Sequence, residues 1–321
     1  MRRLLTVTLV SLILSGCLSP LPKNTNSNIP LHAELSETPF FPQTEFHCGP
    51  AALATLMGAE GASVSPAALS EHLFIPSVEG SLQVEMLAAS RRQGYIPVRL
   101  SPEIQSLFDT VALGKPVLLL QNLATPGAPQ WHYSVLVGYD LSSNKLILRS
   151  GTQQRKAMSL RSFLRTWDWG QRWAIVLLQP GEIIETLSQQ DYFEALADIE
   201  QTDNLELAIL AYSGALTHWP DSEFLWTGVG STALQRGGLV ESENAFRQLL
   251  KYHPDSVSGR NNLANILLAQ GCSSQALEQV QRAESLLTQD QRFSTQVLQT
   301  KNEIIASISE NGIIECDRSD L

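Results

Sequence analysis

Gln43-Thr44-Glu45-Phe46-His47-Cys48-Gly49-Pro50-Ala51-Ala52-Leu53-Ala54-Thr55-Leu56 is the stretch on which the fold of this chain turns. It reads as a loop opening into a helix at Cys48. Pro50 suits a first helical turn, where the N–H it lacks has no partner, and good helix formers follow from Ala51 to Met57. A thiol at a helix N-terminus faces unpaired N–H groups and the positive end of the macrodipole, so its thiolate is expected to be favoured. Gln43 lies five residues upstream. With the Cys48 N–H, its side-chain amide is placed to donate to an oxyanion. The base such a nucleophile needs is best sought in Trp131-His132-Tyr133-Ser134-Val135-Leu136-Val137-Gly138-Tyr139-Asp140, where His132 opens an apolar run of strand type.

Gln43, the Cys48-Gly49-Pro50 helix start and the later His132 strand, in this order, resemble the papain-fold cysteine peptidases related to the bacteriocin-processing, double-glycine-leader family. The resemblance spans about residues 39–180. It implies that Cys48 is the nucleophile, His132 its base, Gln43 an oxyanion donor, and that an acid one strand after the His orients the imidazole. After Lys145-Leu146-Ile147-Leu148-Arg149, however, the chain reads Ser150-Gly151-Thr152, and Ser150 stands where that acid is expected. The Gln–Cys spacing is also one residue shorter than in the processing peptidases. Ser150 is able to accept a hydrogen bond from the imidazole, but a neutral hydroxyl stabilises imidazolium far less than a carboxylate does. Asp140 does not fill the role: it ends the same strand eight residues on, about 25 Å away if extended. It reads instead as the start of a turn over Leu141-Ser142-Ser143-Asn144. The bland alternatives are a buried small hydrophobe for Cys48, a satisfied core residue for His132 and a structural role for His47. Trp167, Trp169 and Trp173 read as packing, and Trp131, beside the base, as the candidate cleft residue.

The 321 residues suggest more than one core. The formal charge is −10, and no Lys/Arg run offers a phosphate-binding face, so nucleic acid is not an expected partner. The four cysteines form no Cys-x-x-Cys pair or His/Cys cluster, and neither a metal nor another cofactor is expected.

Arg2 and Arg3 precede an apolar stretch, Leu4 to Leu14, too short at about 1.5 Å per residue to cross about 30 Å of hydrocarbon. It ends in Leu14-Ser15-Gly16-Cys17, which matches the bacterial lipoprotein processing box. That match implies a signal peptide over 1–16, cleavage before Cys17 and a diacylglycerol on its thiol, hence a lipid-membrane partner. Leu18, which is not Asp, favours the outer membrane, facing the periplasm, by analogy with enterobacterial sorting. Residues 17–38, rich in Pro, Asn and Ser, read as a flexible tether.

From 39 to 180 the pattern alternates between helix and strand. Helices are expected near Pro66–Leu73, Leu82–Gln93, Pro102–Leu113 and Leu160–Trp167. Strands are expected at Tyr95–Leu100, Pro116–Gln121, Tyr133–Tyr139, Lys145–Arg149 and Trp173–Leu178. This order suits an α+β papain-like layout. Past Pro180 the strands stop and a 34-residue period begins. Ala208, Tyr212 and Ala215 precede Pro220 by the same distances as Ser242, Phe246 and Leu249 precede Pro254, and Ala276, Val280 and Ala283 continue the register. Trp226 and Gly230 correspond to Arg260 and Ala264, while Gly237 and Gly271 mark turns. These residues resemble three tetratricopeptide repeats, at about 189–222, 223–256 and 257–290, within an all-α solenoid over 189–310 that includes a capping helix near Arg292–Ile308; a tail over 311–321 follows. Cys272 and Cys316 are expected at the same end of antiparallel helices, where oxidising conditions allow a disulfide. The combined expectation is a lipid-anchored envelope peptidase acting on a peptide or protein, with repeats that recruit a protein partner. The rival is an inactive peptide-binding lipoprotein scaffold.

Overall fold

The computed structural model describes residues 29–43, 48–75, 77, 80–200, 204–287 and 291–316. The leader, Cys17 and the first part of the expected tether lie outside them.

Strand β1 (His32–Glu34) comes first, then helices α1 (Cys48–Ala59), α2 (Pro66–Leu73) and α3 (Gln83–Arg92). Next are β2 (Ile96–Arg99), α4 (Ile104–Ala112), β3 (Val117–Asn122), β4 (Trp131–Asp140), β5 (Lys145–Ser150) and β6 (Gln153–Ser159). Helix α5 (Leu160–Trp169) and β7 (Ala174–Leu178) complete the first unit. The strands join in one antiparallel sheet of order β2-β7-β3-β4-β5-β6, with β1 paired to the far half of β4.

Alternation along the strands sorts side chains between two cores, as a period of two requires. Leu118, Leu120, Tyr133, Val135 and Val137 pack with α1, α2 and α3. Val117, Leu119, Leu136 and Leu148 pack on the opposite face with α4 and α5. Because both faces are covered, β3 and β7 are buried throughout, β7 reading as an unbroken apolar run and β3 as one from Val117 to Leu120.

Two sequence expectations change here. The tether was to run to residue 38, yet β1 pairs with Gly138–Asp140, Leu35 N–H donates to Val137 O at 2.7 Å, and Thr38 is buried. The cause is Arg149. Its buried guanidinium donates to the carbonyls of Ser36 and Thr38 at 2.9 and 3.1 Å and to Gln154 at 2.6 Å, drawing a polar segment onto the sheet. The folded part therefore includes at least residues 29–38. Strand β6, polar and largely exposed, was not foreseen at all; it forms because Gly151, at φ +61°, closes a tight turn from β5.

The second unit follows the expected period. Helices α6 (Gln189–Glu200) and α7 (Leu205–Ala215), α8 (Glu223–Gln235) and α9 (Leu239–Tyr252), and α10 (Val257–Ala269) and α11 (Ser273–Leu286) form three hairpins, and α12 (Ser294–Asn311) covers the end. All nine residues aligned in register, from Ala208 to Ala283, are buried at 1% exposure or less, so the repeat seen in the letters is the repeat of the core. A Cβ at Gly230 would lie 2.5 Å from the Phe246 ring, which explains the glycine facing a phenylalanine. The chain after α12 returns to α11. Cys316 is disulfide-bonded to Cys272 with Cα atoms 5.3 Å apart, and Gln275 brackets Cys316 by accepting from its N–H and donating to its carbonyl.

Candidate active site

Cys48 is the first residue of α1, as expected, and the helix behind it is apolar all round and buried from Gly49 to Met57. Gly49 permits a close approach that no other residue allows: a Cβ there would lie 2.5 Å from Ser81 Oγ. Gln43 is fixed by its backbone, whose N–H donates to Gly151 O at 3.0 Å in the β5–β6 turn. That turn carries Ser150 on one side, so the loop before the helix and the end of β5 are tied together.

His132 is the second residue of β4 and is buried, with Nε2 2.9 Å from Ser150 Oγ. Ser150 is thus where the sequence placed it, against the ring. In the tautomer whose Nε2–H donates to Ser150, Nδ1 is left as the basic nitrogen. Asp140 is remote from this: it caps the turn after β4 by accepting from Ser142 N–H, Ser143 N–H and Ser143 Oγ.

Gln43, Cys48 and His132 line one cavity of about 670 Å3, whose walls include Ser81, Gln83, Trp131 and Gln171. The sulfur lies within hydrogen-bonding reach of the backbone of Tyr133, the residue after His132. Trp131 is 51% exposed at the mouth, whereas Trp167 and Trp173 are buried, which separates the cleft tryptophan from the packing ones.

Electrostatics overturn one expectation. The Cys48 pKa is raised, not lowered: burial outweighs the hydrogen bonds from the backbone of Tyr133, Gly49 and Cys48 itself. Burial, with the Lys156 charge second, pushes the His132 pKa down to about 4. Both groups are therefore neutral near pH 7. Among the described residues, no Asp or Glu lines the cavity to favour the imidazolium.

Sequence reading missed the support beneath the base. Gln121, directly across from His132 on β3, accepts from Ser134 Oγ at 2.7 Å and donates to Thr166 Oγ1 at 2.7 Å, all three buried. Asn122 Oδ1 accepts from the N–H groups of Ala124 and Gln130, and its amide donates to Thr125 O, so one side chain shapes the 123–130 loop that ends at Trp131. The available signal was a polar Gln-Asn pair closing an apolar strand.

Comparison with known proteins adds the following. Residues 35–172 match the family described as "Peptidase_C39 like family". No curated protein matches the chain. Among solved structures, one described as a C39-like peptidase from Bacillus anthracis is 18% identical, covering 46% of this chain and 98% of its own, with TM-score 0.38. The peptidase domain of Streptococcus ComA, a bifunctional ABC transporter of a quorum-sensing pathway, is 24% identical over 44% of this chain and 99% of its own, TM-score 0.37. The TPR2B domain of yeast Sti1, solved as a complex with pHsp70, is 12% identical over 36% of this chain and 95% of its own, TM-score 0.35. The family match supports a peptidase-type function for the amino-terminal unit, which is similar to C39-like peptidases over residues 35–172 and is followed by a helical, tetratricopeptide-like solenoid.

Proposed function

We propose that this chain is a cysteine-type peptidase of the bacterial cell envelope. The observation that carries the reading is the convergence of Gln43, Cys48 and His132 on one cavity, with the far nitrogen of His132 on Ser150. In the reaction proposed, His132 takes the Cys48 proton as the sulfur attacks the scissile carbonyl, whose π electrons move onto oxygen. Gln43 and the Cys48 N–H stabilise that oxyanion. Collapse expels the amine, which takes the proton from His132 and leaves a thioester. Water, deprotonated by His132, then adds to the thioester; collapse releases the carboxylic product, and the proton returns to sulfur. Ser150 acts through His132 as a positioning residue.

The lipid anchor in this proposal is Cys17 of the Leu-Ser-Gly-Cys box, and Leu18 after it supports a position on the outer membrane facing the periplasm. The Cys272–Cys316 disulfide supports an oxidising compartment. The solenoid is read as the surface that recruits a protein partner.

A second reading has one observation in its favour: with thiol and imidazole both neutral, the site suits a peptide-binding module without turnover. Labelling with a thiol-directed peptide electrophile decides between them. Modification at Cys48 that disappears in Cys48→Ala is expected of the enzyme; equal labelling of wild type and variant would end that reading.

A further inference from the structure

His132 separates two recesses. One is the cleft shared with Cys48. The other, of about 420 Å3, opens on the Ser150 side, and its walls include Gln130, His132, Ser150, Thr152, Gln153 and Lys156. Every polar side chain named there donates hydrogen bonds, and no Asp or Glu is among the described residues that line it. Lys156 is half-buried on β6, opposite Leu148, with no acidic partner among the described residues. Its neighbour Arg149 is already engaged by backbone carbonyls on the other side of the strand. A cation beside a buried imidazole, with hydroxyl and amide donors around an open recess, is a setting that an anion completes.

We propose that this recess is a carboxylate-binding site, in which an acid seated on Lys156 and Ser150 supplies His132 with the anion that its own surroundings lack. The inference rests on reading Cys48 and His132 as the reactive pair. Among the described residues Lys156 is the one charged group found acting on His132, and it acts against protonation. A carboxylate between the two screens that repulsion and adds an attraction, so the imidazolium and with it the thiolate become more accessible. The site becomes responsive to the acid, and the acid is carried either by a small free molecule or by a side chain of the peptide substrate.

The test uses the full chain at pH 7 and follows alkylation of Cys48 by iodoacetamide with peptide mapping. Sodium acetate or formate is titrated against sodium chloride at matched ionic strength. The expected result is a saturable increase of about fivefold in wild type, smaller than the tenfold or more by which a one-to-three-unit shift raises the ion pair because free thiolate also reacts, and no saturable increase in Lys156→Gln. In parallel, 15N-histidine NMR should show the His132 titration moving upward with acetate, a readout independent of cysteine chemistry. Rates and titration indifferent to acetate, or equal acceleration in Lys156→Gln, would overturn the proposal. N-acetyl-glutamate amide against N-acetyl-glutamine amide identifies the source: stimulation by the former at concentrations tenfold below acetate assigns a peptide side chain, and parity assigns a small free acid. Cys48 that reacts but ignores acetate removes this inference alone; Cys48 that never reacts above the Cys48→Ala background removes the peptidase reading.

Discussion

Replacing Ser150 by Asp puts a carboxylate on the far nitrogen of His132 and reverses the electrostatics of the site. In the wild type the imidazole is held at about 4 and the thiol above its ordinary value near 9, so moving the proton from sulfur to ring is disfavoured by about five decades or more. Only ~10⁻⁵ of molecules or fewer would carry the ion pair before attraction between the charges is counted. Ser150 Oγ lies 2.9 Å from Nε2, so an Asp carboxylate at that position is within reach of the same nitrogen. An adjacent opposite charge shifts a pKa by about 1–3 units, which multiplies the ion-pair population about 10- to 1000-fold. The assay is the second-order rate of iodoacetamide with Cys48 from pH 5 to 9. Wild type is expected to show a log rate rising with unit slope and no acid plateau. Ser150→Asp should show a plateau extending below pH 7 and react up to about tenfold faster at pH 6, where free thiolate dominates the wild-type rate, while Ser150→Ala keeps the wild-type shape. Coincident profiles for wild type and a folded Ser150→Asp, or a wild-type plateau already present below pH 6, would refute the reasoning.

Acid should destabilise the sheet through His132. Its folded pKa of about 4 lies below the ordinary 6.5, so the unfolded state binds more protons between those values and stability falls as pH drops through that window, by roughly 3 kcal/mol in all; hydrogen exchange of the β3 and β4 amides should show it, and His132→Asn should flatten it. Gly230→Ala, favourable in an open helix, should cost about 1–3 kcal/mol because the new methyl meets the Phe246 ring. The third repeat pairs Ala264 with Val280 at the same positions, so adding Phe246→Val should recover much of that loss in thermal melts. Reducing the Cys272–Cys316 bond, 44 residues apart, should lower the stability of the last repeat and its cap by about 3–4 kcal/mol, read as faster exchange in α11 and α12.

What the sequence made legible follows from how local each signal is. The solenoid could be read to within a few residues because its period, its small–large alternation and its turn glycines all act within a single 34-residue unit. The placement of Cys48, His132 and Ser150 could be read because each sits at the end of a strongly patterned element. The errors have other causes. The ordered segment at 29–38 is held by Arg149 reaching carbonyls over a hundred residues away, a contact no local pattern encodes, and β6 is a polar, largely exposed strand that offers no hydrophobic pattern to read. The thiol's pKa went wrong for a similar reason. The helix N-terminus is visible in the letters, but the burial that outweighs it depends on the Ser81, Tyr133 and Gln43 walls, which arrive from three separate parts of the chain.

The boundary between the two units bears on how the site is held. Ile96, Val98, Val176 and Leu178, on one face of the β2–β7 edge, belong to the same apolar cluster as Tyr192, Leu196 and Ile199 of α6 and Tyr212 of α7. Arg91 at the end of α3 also pairs with Asp198 of α6 at 2.6 Å. The first repeat is therefore the cover of the sheet as well as the start of the solenoid, and a cut at residue 180 would leave that face of the sheet open to water. Burying several large side chains at about 1.5–3 kcal/mol each outweighs any single polar contact in this region. The orientation of the solenoid to the sheet is accordingly set by packing, and through β7 and β3 to the strand that carries His132. A partner held by the proposed recruitment surface would then meet the cleft from a fixed direction instead of on a swinging tether.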